Sequence, residues 1–149
     1  MMQVTADSPW SRNEIDDFLD TFEAPLRISA TDASGYPRIC SLWFEREGDR
    51  LFCATQADAW IARTLARDGR CGFELAPNEP PYYGVRGIGR ASVTRTGGAE
   101  RLGRLLDRYL GSRETDLARW LLSRADAAVV VSLEVERLRA WDYRDRMGR

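Results

Sequence analysis

The stretch Tyr36-Pro-Arg-Ile-Cys-Ser-Leu-Trp-Phe44 runs into a break at Glu47-Gly48-Asp49, then into Arg50-Leu-Phe-Cys-Ala-Thr55 and a helix that opens near Asp58. The two apolar runs read as β-strands, and the glycine-bearing break between them reads as a tight turn. The first turn of the following helix leaves backbone N–H groups unpaired, and the helix dipole favours negative charge there. Two strands feeding a helix start therefore predict an anion site, of phosphate size, beside a β-sheet wall.

Working outward, Ser11-Arg-Asn-Glu14 is a capping box, and Ile15, Phe18, Leu19 and Phe22 follow at the spacing of an amphipathic helix that closes before Pro25. Leu26 to Thr31 and Pro37 to Glu45 read as strands around the turn at Asp32-Ala-Ser-Gly35, so with Arg50 to Thr55 they form a three-strand meander. Asp58 is the expected cap of a helix that turns Ile61 and Leu65 inward and ends near Asp68-Gly69. Strands follow at Arg70 to Ala76 and Tyr83 to Arg95, the second interrupted by Gly84, Gly87 and Gly89. Two helices around Leu102–Leu110 and Thr115–Ser123 precede a last strand, Ala127 to Val135. The expected architecture is α+β and mainly β: one domain over 1–149, a six-stranded antiparallel barrel with peripheral helices.

The chain has 149 residues, a net charge of −1, and neither lysine nor histidine, so arginine supplies all 22 of its basic residues. That excludes a lysine Schiff base, a P-loop lysine and a histidine general base. Arginines interspersed with carboxylates make no basic face for nucleic acid. No apolar run reaches the ~20 residues of a membrane helix, and the start lacks a signal-peptide pattern, so a soluble cytoplasmic protein is expected. Cys40, Cys53 and Cys71 lack C-x-x-C spacing and sit in apolar strand patterns, as reduced thiols rather than a zinc site.

The pieces Pro25-Leu-Arg-Ile-Ser-Ala-Thr31, Gly35-Tyr-Pro-Arg-Ile-Cys-Ser41, Phe52-Cys-Ala-Thr55, Ala62-Arg-Thr-Leu65 and Gly84-Val-Arg-Gly-Ile-Gly-Arg-Ala91, in this order, resemble the FMN-binding split-barrel family of pyridoxamine 5'-phosphate oxidase. The resemblance spans about Phe22 to Met147 and implies a split barrel, a homodimer with cofactor sites at the subunit interface, and FMN or a deazaflavin as cofactor. It implies that Arg38, Ile39, Cys40 and Ser41 lie along the ring and that Thr55 meets the phosphate. The family's serine-arginine-lysine cluster is replaced here by Ala59-Trp60-Ile61. Losing two or three such charged contacts weakens phosphate binding by about 3–6 kcal/mol. Arg63, one turn into the helix, is the candidate to replace them, and Trp60 either covers the site, blocks it or packs into the core. The resemblance further implies that Arg86 flanks the cofactor and the partner subunit, with Tyr82 and Tyr83 secondary, and that Trp141 begins a tail crossing the dimer over the ring.

The leading expectation is a flavin- or deazaflavin-dependent oxidoreductase with a small-molecule substrate and chemistry supplied by the cofactor. The alternatives are a non-catalytic split barrel holding haem or another planar ligand, and a cofactor-free dimer whose pocket is closed by Trp60 and Ile61. No residue is singled out as catalytic, and no metal site is expected.

Overall fold

The computed structural model describes residues 2–148. In chain order the elements are β1 (Gln3–Val4), α1 (Arg12–Thr21), β2 (Leu26–Thr31), β3 (Pro37–Leu42), β4 (Phe44–Glu47), β5 (Arg50–Gln56), α2 (Trp60–Arg67), β6 (Arg70–Leu75), β7 (Tyr83–Thr94), α3 (Gly98–Leu110), α4 (Asp116–Leu122), a short 3-10 turn, β8 (Ala128–Asp142) and α5 (Arg144–Met147). The strands form one sheet in the order β3-β2-β6-β7-β8-β5-β4, antiparallel throughout, with β1 added in parallel to β8.

This order corrects the expected meander. β3 and β4 stand at opposite edges of the sheet, although Trp43 alone separates them in sequence. The sheet must therefore curl until its edges approach, and the result is a split barrel: an α+β fold with eight strands among the described residues rather than six. The corner at Trp43 is held from outside. Its ring stacks on Tyr109 of α3 at 5.1 Å, and the Tyr109 hydroxyl accepts from Phe44 N–H at 3.3 Å while donating to Ala24 C=O at 3.0 Å. Arg108 beside it donates to Leu19 C=O (2.9 Å), Asp20 C=O and Phe22 C=O, which otherwise lack partners at the C-terminal end of α1.

Inward-pointing residues of every long strand fill the core, with Phe44, Leu26, Ile28, Leu51, Leu75, Leu133 and Leu138 fully buried. α1 adds Ile15 and Leu19, and its capping box is formed as expected. α2 adds Ile61, Ala62, Thr64 and Leu65. Its N-cap, however, is Ala59, which offers no side-chain oxygen; Asp58 does not cap it. β8 runs seven residues past the expected end at Val135. A β-bulge between the Ile88–Arg137 and Gly89–Val135 pairs leaves Glu136 without an opposite number. The alternation shifts by one there, so Val135 and Leu138 both point inward.

Candidate functional site

β3 is an edge strand, so its residues alternate between two faces of the curled sheet with one row of backbone groups left open. Arg38 pairs with Ala30 and Cys40 with Ile28, both of which point into the core; Ile39 pairs with Ser29 and Ser41 with Arg27, on the outer face. The four consecutive candidates on this strand therefore cannot all face one ligand within one subunit. The others divide in the same way.

One group gathers where α2 closes the barrel. The guanidinium of Arg38 lies 4.1 Å from the ring centroid of Trp60, which is half-buried and packs against the core with Cys40 and Ala59. Thr55 is the penultimate residue of β5, on its core-facing side and half-buried, and Arg63 is exposed one turn into α2. Arg38, Thr55 and Arg63 have no side-chain hydrogen bond or ion pair among the described residues. Ile61 turns fully into the core, so its side chain is removed from any ligand surface. Trp60 thus packs against the core and carries the Arg38 guanidinium on its ring face, a contact the sequence reading does not contain. Arg67 is exposed and donates to Thr31 C=O at 2.7 Å.

The second group lies on the outer face. The pairing Ile39–Ser29, Ser29–Gly72, Gly72–Ile88 and Ile88–Arg137 carries one row of residues across five strands. It forms the floor of an open cleft of about 710 Å³. Ser29 and Gly72 make that floor low, and Ile39 and Ile88, 70% and 43% exposed, stand at its sides. Arg27, Arg86, Arg137 and Arg139 also line it, against one carboxylate, Glu74. Arg139 is committed to Asp7 at 2.5 Å. The Thr5 hydroxyl first, and then Arg139, hold the Asp7 carboxyl below the usual carboxylate range. Arg86 and Arg137 have no ion pair among the described residues. Arg86 lies 5.4 Å from the ring centroid of Trp141. Trp141 is the penultimate residue of β8, fixed opposite Gly84, and does not start a free tail. Gly84 must be a glycine here, because a Cβ would stand 2.7 Å from the Trp141 ring.

Trp141 therefore keeps its place beside Arg86 but belongs to the sheet, and the segment after it folds as α5. Arg137, Arg139, Gly72 and Ile88 escape the sequence reading. The signal for the two arginines is the polar–apolar alternation Arg137-Leu-Arg-Ala140, which sits out of phase with Val129–Val135 until the bulge is allowed for.

Burial favours the protonated thiols: it pushes Cys53 far up, Cys71 up to about 12, and raises half-buried Cys40. All three are unpaired. Among the described residues no cluster of three or more metal-ligating side chains occurs, and no helix is long and apolar enough to cross a membrane.

No protein-family model matches the sequence, and no curated protein matches it. Solved structures do. A conserved hypothetical protein of Mycobacterium tuberculosis superposes with a TM-score of 0.77 at 23% identity, over 97% of this chain and 92% of that one. An F420 reductase gives 0.65 at 16%, over 83% and 94%. A putative pyridoxamine 5'-phosphate oxidase of Listeria innocua gives 0.65 at 14%, over 86% and 95%. Similarity at this level shows the fold alone: the chain shares the split-barrel fold of these structures.

Proposed function

We propose that the chain works as a homodimeric flavin- or deazaflavin-dependent oxidoreductase on a small-molecule substrate, with each cofactor site assembled from both subunits. The observation that carries this is the division of the candidate residues. Arg38, Trp60, Thr55 and Arg63 sit at the α2 end of the barrel, while Arg86 and Trp141 sit on the outer sheet face. A second copy brings the outer face of one subunit to the α2 end of the other. That outer face also exposes Ile39, Ile88, Tyr82 and Tyr143, apolar surface of the kind a partner covers.

The donor set fits an anionic, planar cofactor. Among the described residues, Arg38 and Arg63 have no carboxylate partner, the Thr55 hydroxyl has no hydrogen-bond partner, and the first-turn N–H groups of α2 have no side-chain cap. FMN is the first candidate and a deazaflavin the second, since the F420 reductase shares the fold. When bound, such a ring accepts or donates a hydride. Arg38, Thr55 and Arg63 would hold the phosphate. Arg86 and Trp141 of the second copy would flank the ring, with Arg86 steadying negative charge on it. Arginine keeps its proton in proteins, so these residues supply position and charge rather than proton transfer.

The test is titration of the purified protein with FMN and with a deazaflavin, followed by absorbance and fluorescence, alongside sedimentation to fix the oligomeric state. Saturable binding by a dimer is expected. A dimer that takes up neither cofactor would overturn the oxidoreductase reading and leave a cofactor-free split barrel, and a monomer would overturn the shared site.

A further inference from the structure

Away from the cleft and away from α2, a groove of about 460 Å³ runs between α1, the start of β7 and the start of α5. Its walls are aromatic. Trp10 meets Phe18 edge-on at 5.3 Å, Phe18 stacks on Phe22 at 5.0 Å, and Tyr83 lies 5.9 Å from Phe18. All four rings remain half-buried rather than closed over. One side of α1 builds this surface by helical spacing: Glu14, Asp17, Phe18, Thr21 and Phe22 follow at i, i+3, i+4, i+7 and i+8, while Ile15 and Leu19 go to the core.

The charges around the groove are unbalanced. Glu14 and Asp17 stand on its rim, Asp142 at its end, and among the described residues Arg144 is the one cation that lines it. Arg144 is already spoken for, because its guanidinium donates to both Asp142 oxygens at 2.9 and 2.6 Å. Asp142 also accepts from the Trp10 indole at 3.1 Å. Asp17 has no side-chain partner among the described residues, and Glu14 gives one oxygen to the Ser11 N–H. The rings already accept a cation from the chain itself: the Arg144 guanidinium lies 4.4 Å from the Tyr83 centroid and 5.8 Å from that of Trp10. The negative faces of aromatic rings favour such a neighbour, and the groove has the size of a small-molecule site.

We propose that this aromatic groove is a second binding site, for a small organic cation that carries an alkyl- or arylammonium group: its apolar part against Phe18, Phe22 and Tyr83, its charge facing Asp17 and Glu14. The assignment stands independently of the flavin reading, since no residue is shared with the cleft or with the α2 end.

The test uses the full-length protein and phenethylammonium as the probe, with 2-phenylethanol as its uncharged counterpart. Binding is followed by calorimetry and by the shift of the Trp10 indole N–H. The expected result is saturable binding of the ammonium compound, at least about threefold tighter than the alcohol, and weakened about threefold or more by Asp17→Asn. Asp17 is exposed, so Asp17→Asn should fold normally and bind FMN as the wild type does, which separates failure of this site from failure of the cofactor site. Equal affinity for the ammonium compound and the alcohol would overturn the proposal, as would binding unchanged in both Asp17→Asn and Tyr83→Leu, or no saturation.

Discussion

The guanidinium of Arg38 lies 4.1 Å from the ring centroid of Trp60, across the position where a serine-arginine-lysine cluster would open α2. Arg38 has no carboxylate partner among the described residues, and under the proposed function its guanidinium would supply part of the positive charge that Ala59 and Ile61 do not.

Replacing Arg38 with alanine removes this contact at little cost to the fold, about 0.5–1 kcal/mol for an exposed cation–π pair. Affinity for FMN should fall roughly ten- to a hundredfold, the worth of one hydrogen bond to a charged group. Trp60→Ala should lower the melting temperature more than Arg38→Ala does, because Trp60 also packs against the core. Melting curves and titrations of both variants check the contrast.

Tyr109 holds the Trp43 corner through three contacts. Tyr109→Phe keeps the ring stack but leaves the Phe44 N–H and the Ala24 C=O without this partner. The expected loss is about 1–3 kcal/mol, measured by denaturant unfolding. Tyr109→Ala should lose more, since the stack goes as well.

Stability should depend on acid through Asp142. The Arg144 guanidinium, first, and then the Arg144 N–H and the Trp10 indole hold its carboxyl well below the usual carboxylate range. A group whose folded value is depressed contributes stability above its unfolded value, near ~3.9, and loses that contribution as pH falls toward the folded value. Asp142→Asn should therefore melt lower than wild type at pH 7, with the gap narrowing steadily below about pH 4. Parallel melting curves from pH 7 to pH 3 test the sign; a gap that widens in acid would contradict it.

Thiol chemistry should follow burial. Cys53 and Cys71 are 1% and 8% exposed, and Cys40 is half-buried. A thiol-specific reagent at pH 8 should label Cys40 alone in the native protein, slowly, and all three after unfolding. Fast native labelling of Cys53 would contradict the placement of β5 in the core.

The legible parts of the fold are those set by local chemistry. Ser11 and Glu14 announce α1, and Ile61 and Leu65 announce α2. The illegible parts come from tertiary geometry. Pro37–Phe44 is one apolar run, and only the curl of the sheet divides it at Trp43. β8 looked finished at Val135 because the bulge at Glu136 breaks its period of two, and with it went Arg137 and Arg139. At the site, the sequence supplied Arg38, Trp60, Arg86 and Trp141, but strand alternation and sheet order decide which face each occupies.

Subunit mixing shows whether each cofactor site takes Arg38 from one subunit and Arg86 from the other. Arg38→Ala and Arg86→Ala are prepared separately, each is titrated with FMN, and the two are then unfolded, mixed in equal amounts, refolded and titrated again. Half of the reassembled dimers are mixed, and each mixed dimer regains one site with both arginines intact. About a quarter of all sites should then recover wild-type affinity. A mixture that binds no better than the two variants apart, beside a wild type that binds, would contradict it.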